Sequence, residues 1–152
     1  MAVTTLENKS SIVTNSIAVK DSILAFNKGD LNASIAPYAE NAEVSEPTGK
    51  HVGKAQILAS QKVWQTAFPD AKGDVTNQIA EGEQVLTEAI FRGTHTGPLA
   101  GPNGMTVPAT NKKIEMRIAF VDSFKDGKIQ RERAYYDLAG LMQQLGVTPN
   151  GK

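Results

Sequence analysis

Residues Lys125 to Gly146 read KDGKIQRERAYYDLAGLMQQLG, and they contain the signals of a turn, a strand and a helix in that order. Asp126-Gly127 is a hairpin signal, because a type I′ turn requires positive φ at both central positions and Asp-Gly tolerates it. The residues after the turn predict a strand, in which successive side chains point to opposite faces. Strict alternation places the odd-numbered residues on one face: Ile129, Arg131, Arg133, Tyr135 and Asp137.

Asp137 stands where the predicted strand ends and a helix begins. The apolar residues after it recur at helical spacing, at Leu138, Leu141, Met142 and Leu145. Gly146 suits the position after the last helical residue. Asp directly before a helix commonly caps its N-terminus. Asp137 is therefore either a helix cap or a carboxylate that the strand delivers to a cavity, and the spacing leaves both readings open.

The composition limits the possible partners. The chain has 152 residues, which fits one domain, and its sixteen basic and sixteen acidic side chains cancel. No broad positive field therefore exists to attract nucleic acid or an anionic membrane. The chain has no cysteine, which excludes disulfides, and its N-terminus lacks the apolar core of a signal peptide. We expect a soluble, cytoplasmic protein.

The remaining elements follow from hydrophobic periodicity and from Gly and Pro. The prediction reads, in chain order: a flexible N-terminus over 1–10, helix 11–28, a short helix capped by Asp30, strand 42–46, a loop over 47–53, helix 54–68, hairpin strands 72–80 and 84–95, an extended loop over 97–109, strand 111–124, and a flexible C-terminus over 150–152. Residues 11–149 then form one α+β domain. We expect a curved antiparallel sheet with helices packed on its concave face, a cone-shaped α+β barrel that encloses a ligand cavity.

Four stretches in this order resemble the SnoaL-like polyketide cyclases of the nuclear transport factor 2-like superfamily. They are AFPDA (67–71), GTHTG (93–97), DGKI (126–129) and YYDLAGLMQQLG (135–146). The resemblance covers roughly residues 30 to 149. It implies a cofactor-independent enzyme in which an acidic residue placed like Asp137 acts as general base in an intramolecular aldol ring closure. It also implies a hydrophobic, carbonyl-rich substrate and a homo-oligomer, either a dimer or a tetramer.

Such chemistry needs hydrogen-bond donors for the enolate oxygen. Tyr135 and Arg133 share the predicted strand face of Asp137, and His95 can approach from another strand. His95 fits equally well as an anchor for the loop that follows it. The residues predicted to line the ligand cavity, with core packing as the alternative, are Trp64, Phe68, Phe91, Met116 and Phe120.

The other polar residues carry weaker signals. His51 lies between Pro and Gly residues, so we expect it in solvent. Glu43 and Glu46 lie on or near the first strand, and we expect solvated edge residues rather than cavity carboxylates. The chain has only two histidines and lacks metal-ligand spacing, so we expect no metal or other cofactor.

Two other functions fit the same residues. One is a ketosteroid-isomerase-like or dehydratase enzyme, in which Asp137 moves a proton but no ring closes. The other is a non-catalytic module for ligand binding or dimerisation, in which Asp137 only caps the helix.

Overall fold

The computed structural model describes residues 2–101 and 104–147. Its four helices are α1 (Ala2–Asn27), α2 (Leu31–Ile35), α3 (Lys54–Ala67) and α4 (Leu138–Gln144). Its strands are β1 (Tyr38–Glu46), β2 (Gly49–Val52), β3 (Lys72–Glu81), β4 (Gln84–Thr94), β5 (Leu99–Ala100), β6 (Thr106–Val107), β7 (Lys113–Lys125) and β8 (Lys128–Tyr136). The flexible C-terminus predicted for residues 150–152 lies outside the described residues.

Six strands form one mixed sheet in the order β2-β1-β8-β7-β4-β3. The β1–β8 pair is parallel, and the other neighbours are antiparallel. The inner face of this sheet packs against α1 and α3 around a buried cluster that includes Val19, Ile23, Ile57, Val85 and Ile129. The α+β class predicted from the sequence is confirmed.

Helix α1 begins at Ala2 rather than at Ser11. Residues 2–10 contain neither Gly nor Pro, so no residue of the segment interrupts the helix. One face of α1 points inward, since Val19 and Ile23 are buried while Val13 and Ile17 are exposed.

Two predicted loops contain strands. Residues 47–53 include β2, which pairs with β1 in a hairpin instead of forming a loop. Residues 97–109 include β5 and β6, which form a separate two-stranded sheet. Strands β5 and β6 are too short for alternation to reveal them, which is why the sequence pattern did not predict them.

The faces of β8 differ from strict alternation because the strand contains a bulge. Phe124 of β7 pairs with Ile129, but the adjacent Ser123 pairs with Arg131. Gln130 is therefore an extra residue on β8, and an extra residue reverses the faces of all residues after it. Even-numbered residues after the bulge turn inward, and odd-numbered residues turn outward. The prediction that Ile129 shares one face with the odd-numbered residues from 131 to 137 is wrong.

Candidate active site

An apolar cavity of about 150 Å³ lies between α3 and the concave face of the sheet. All five residues predicted to line a ligand cavity lie in its wall: Trp64, Phe68, Phe91, Met116 and Phe120. The ring of Trp64 stacks on Phe68 at 6.3 Å between centroids and lies perpendicular to the ring of Tyr136 at 5.8 Å. That these residues contact a ligand stays a prediction.

One end of the cavity carries a polar group that we call the rim cluster: Glu46, Thr48, His51 and Tyr136. His51 Nε2 lies 3.1 Å from Glu46 Oε1. The hydroxyls of Thr48 and Tyr136 donate hydrogen bonds to Glu46 Oε1 and Oε2. The β1–β2 hairpin brings Thr48 and His51 to Glu46, because it folds His51 back beside the end of β1, and β8 supplies Tyr136.

The rim cluster corrects two expectations. The side chain of Glu46 is only 6% exposed and that of His51 is 24% exposed, and both line the cavity. Neither residue is the solvated side chain that its sequence neighbours indicated, because β2 pairs with β1 and turns both side chains toward the interior.

The hydrogen bonds of the rim cluster define its chemistry. A carboxylate only accepts hydrogen bonds, so the contact with Glu46 requires a proton on His51 Nε2. In a neutral imidazole Nδ1 then carries a lone pair and no proton. In the described ranges no residue hydrogen-bonds to this Nδ1. Burial raises the pKa of Tyr136, and the hydrogen bond to Glu46 raises it further. Tyr136 therefore stays a phenol and serves Glu46 as a donor.

The deeper end of the cavity carries a second group that we call the floor cluster: Tyr38, Asp122 and Glu132. Glu132 lines the cavity, and the Tyr38 hydroxyl donates to its Oε2 at 2.8 Å. Asp122 is the direct cross-strand partner of Glu132 on β7. Asp122 is 0% exposed, and no hydrogen bond of standard geometry reaches either of its oxygens from the described residues.

The floor cluster holds a proton. Burial raises the pKa of Asp122 well above its ordinary value, and the negative charge of Glu132 raises it further. Burial and the same two carboxyl groups raise the pKa of Tyr38. Like charges this close do not both ionise readily in a buried site. Asp122 is therefore the neutral acid of the cluster, facing the carboxyl group of Glu132.

The two clusters are neighbours along the strands. Val44 pairs with Glu132 across β1 and β8, and Glu46 lies two residues further along β1. Two residues of a strand span about 7 Å. Gln61 of α3 lines the same cavity, and its Oε1 is buried without a hydrogen-bond partner among the described residues.

Three residues predicted at the catalytic centre lie away from this cavity. Arg133 and Tyr135 are exposed on the outer face of β8, where the bulge turns them. Asp137 is exposed and caps α4, with its Oδ1 accepting the Gly140 N–H at 2.8 Å. This contact is the capping alternative that the sequence left open.

His95 is buried, but it does not line the cavity in the described part of the chain. Its ring lies against Phe68 at 5.2 Å between centroids. Its Nδ1 accepts the Thr110 N–H at 3.2 Å and lies 3.0 Å from the Thr110 hydroxyl. Burial lowers the pKa of His95, which keeps the ring neutral. This geometry matches the loop-anchoring alternative.

Sequence reasoning missed both clusters, although a signal for one residue was present. Asp122 follows Ile118 and Phe120 at period two, so continued alternation along β7 places it on the inward face. Strict alternation along β8 placed Glu132 on the outer face, because the bulge at Gln130 was not predicted. Tyr38 and His51 depend on the paths of β1 and β2, which hydrophobic periodicity does not encode.

The described residues contain no group of three or more His, Cys, Asp or Glu side chains placed to hold a metal ion. No helix within the described ranges is both long and apolar enough to cross a membrane.

Comparisons with known proteins agree with this architecture. The sequence model of the SnoaL-like polyketide cyclases matches residues 18–145. IdmH from Streptomyces antibioticus, a candidate polyketide cyclase, is 26% identical, with a TM-score of 0.72 over 88% of this chain and 99% of its own. No curated protein sequence matches the chain at a significant level.

Two further solved structures share the fold. A candidate SnoaL-like polyketide cyclase from Jannaschia sp. CCS1 is 20% identical, with a TM-score of 0.77 over 92% of this chain and 94% of its own. A Catenulispora acidiphila protein with a ketosteroid isomerase-like fold, solved with trimethylamine, is 18% identical, with a TM-score of 0.71 over 89% of this chain and 96% of its own.

Proposed function

Because the chain belongs to the SnoaL-like polyketide cyclase family, we propose that it is a cofactor-independent enzyme that performs aldol-type acid/base chemistry on a hydrophobic, carbonyl-containing small molecule. One observation carries the proposal: a largely apolar cavity is lined by His51, which is paired with Glu46, and by Glu132. General acid/base catalysis needs such groups positioned beside a substrate from which water is excluded.

His51 is the proposed base. Its Nδ1 takes the proton from the carbon next to a substrate carbonyl, and Glu46 stabilises the imidazolium that results. Glu46 also holds the ring in the tautomer that leaves Nδ1 free, as a carboxylate does in a catalytic triad. Tyr136 keeps the Glu46 carboxylate in place.

Gln61 is the proposed donor to the enolate oxygen. Its buried Oε1 has no partner within the described residues, so rotation of the amide group breaks no hydrogen bond at that atom and turns the NH₂ toward the cavity. An amide donor aimed at developing negative charge stabilises the transition state more strongly in an apolar cavity than in water.

The floor cluster is the proposed source of the returning proton. When the enolate carbon bonds to a second carbonyl carbon, the oxygen of that carbonyl becomes an alkoxide. Glu132 passes the Asp122 proton to this oxygen, and the proton on His51 restores the floor cluster through solvent. One proton leaves carbon and one is added to oxygen, so the substrate closes a ring without changing its mass.

The volume of the cavity favours a second candidate on the same residues. Pockets for drug-sized ligands enclose about 300–1,000 Å³, whereas this cavity encloses about 150 Å³. A substrate that small has few atoms with which to close a ring. Isomerisation or dehydration, in which a proton moves but no carbon–carbon bond forms, is therefore the alternative, and product mass identifies the loss of water.

The test is turnover of a panel of β-keto esters and cyclic enones, followed by absorbance and product mass. We expect His51→Gln to lower kcat by about 10²–10⁴-fold, the usual contribution of a general base, and Glu46→Gln to lower it less. Lys50→Gln is the matched control, because Lys50 lies on the same hairpin with an exposed side chain. Circular dichroism establishes that each variant is folded.

Retained turnover in His51→Gln contradicts the proposed base. If wild type converts no compound, the result favours a non-catalytic binding module, and mass spectrometry of the purified protein then searches for a bound ligand.

We also propose that the protein is a cytoplasmic homo-oligomer that associates through the polar outer face of the sheet. Light scattering measures the oligomeric state directly.

A further inference from the structure

A second, deeper cavity of about 50 Å³ lies behind the main one, toward α1 and α2. Four residues line both cavities: Phe26, Phe91, Phe120 and Glu132. We call the three phenylalanines the partition, because their rings stand between the two spaces. Glu132 lies beside them at the floor of the main cavity.

The rings of the partition are held by contacts with one another and with the sheet. Phe91 meets Phe26 edge to face at 6.0 Å between centroids, and it meets Phe120 in the same way at 6.4 Å. Phe91 also lies opposite Gly73 on β3. A Cβ atom at Gly73 would come within 2.6 Å of the Phe91 ring, so this ring occupies space that only a glycine leaves free.

The volume in front of the partition is that of one ring. Apolar cavities of about 150 Å³ lined by Leu, Ile and Phe accept benzene, and the main cavity has the same volume and a largely aromatic wall. A second fused ring has two places to go. It either displaces the partition or remains outside the cavity in solvent, where it adds little binding energy.

Glu132 adds a polar requirement to this limit on size. Tyr38 donates to Oε2 of Glu132, and no hydrogen bond of standard geometry reaches its Oε1 from the described residues. A buried carboxylate oxygen stabilises a ligand that donates a hydrogen bond to it. A hydroxyl or an enol on the ring supplies that donor.

We propose that Phe26, Phe91 and Phe120 restrict the cavity to ligands with a single six-membered ring that carries a hydroxyl or enol group directed at Glu132. The inference rests on the proposed function only in treating this ligand as the substrate. Its test measures binding alone, so failure of the size limit and failure of catalysis are separate results.

The experiment compares cyclohexanol with decahydro-2-naphthol, which carries the same hydroxyl on two fused rings. Trp64 is the single tryptophan of the chain and lies in the cavity wall, so its fluorescence reports binding of these transparent alcohols. Four additional buried carbons tighten binding by roughly a hundredfold or more when they fit. We expect wild type to bind decahydro-2-naphthol less than about tenfold tighter than cyclohexanol, because the second ring stays in solvent.

Two variants change the size of ligand that the cavity accepts, in opposite directions. Phe120→Ala joins the two cavities, so we expect at least a tenfold gain for decahydro-2-naphthol relative to cyclohexanol. Gly73→Ala displaces the Phe91 ring, which lines the main cavity, so we expect about tenfold weaker binding of cyclohexanol. Ile79→Ala is the control, since Ile79 is exposed on β3, and its affinities should equal those of wild type.

The milder Phe120→Leu serves if the alanine variant does not fold, as judged by circular dichroism. A wild-type preference of a hundredfold or more for the bicyclic alcohol overturns the proposal. An unchanged preference in folded Phe120 variants overturns it too, as does wild-type protein that binds neither alcohol.

Discussion

At the scale of single residues, the surroundings of a carboxylate decide what it does. Asp137 directly follows β8, and its exposed side chain accepts a backbone N–H of α4. Glu46 ends a strand, yet its side chain is buried and accepts from a tyrosine, a threonine and a histidine. Only the second carboxylate faces a cavity, and there its pairing with His51 gives it a chemical role.

Substitution of Asp137 separates the capping role from the catalytic one. Asn caps a helix about as well as Asp, whereas loss of the cap to Ala costs about 1 kcal/mol. We expect Asp137→Asn to keep both the free energy of unfolding and turnover, and Asp137→Ala to lose about 1 kcal/mol of stability with turnover intact. Urea unfolding and substrate turnover measure the two quantities.

The asparagine variant distinguishes the two roles of Asp137, because it removes the carboxylate base and keeps the helix cap. A loss of turnover by two orders of magnitude or more in folded Asp137→Asn would restore Asp137 as the general base implied by the family resemblance.

At the scale of elements, one extra residue selects the chemistry of the cavity. The bulge at Gln130 turns Glu132, Ala134 and Tyr136 inward. Without the reversal of faces, the arginines of β8 would point into the core, where unpaired charges are strongly unfavourable. The hydrophobic core and the position of the bulge are therefore mutually consistent.

Two single-residue deletions in β8 test this reading. Deleting Gln130 makes the strand regular and keeps the same residues inward, so we expect a folded protein destabilised by about 1–2 kcal/mol. Deleting Arg133 turns Tyr136 outward and Tyr135 inward, so we expect a loss of more than about 4 kcal/mol or no cooperative transition. Thermal unfolding followed by circular dichroism compares them, and equal effects of the two deletions would contradict the assigned bulge.

At the scale of the whole molecule, the fold collects titratable groups in its interior whose pKa shifts have opposite signs. The raised pKa of Asp122 means that the folded protein holds this proton more tightly than the unfolded chain does. Its contribution to stability is complete below about pH 4 and is lost as the pH rises toward the folded pKa. His95, whose pKa is lowered, contributes above about pH 6.5 and loses that contribution as the pH falls.

Comparison of wild type with Asp122→Asn isolates the Asp122 contribution, because the other titratable groups are common to both proteins. We expect the free energy of unfolding of wild type, relative to that of Asp122→Asn, to fall as the pH rises above about 4 toward the folded pKa of Asp122, by up to about 1.4 kcal/mol per pH unit. Asp122→Asn cannot release the proton, so its stability lacks this decline. Urea unfolding at several pH values measures both proteins, and parallel curves would show that Asp122 is not the group responsible.

The sequence by itself determined the class of fold, the long helices and strands, and the aromatic wall of the cavity. Those features follow from periodic patterns over many residues, as in β7, where Met116 and Phe120 recur on one face. Only the tertiary structure decided which polar groups face the cavity. His51 depends on the pairing of a four-residue strand, and Glu132 depends on a single bulge. Periodicity cannot specify either feature, because each arises from the register in which one strand pairs with its neighbour and not from the pattern within a single strand.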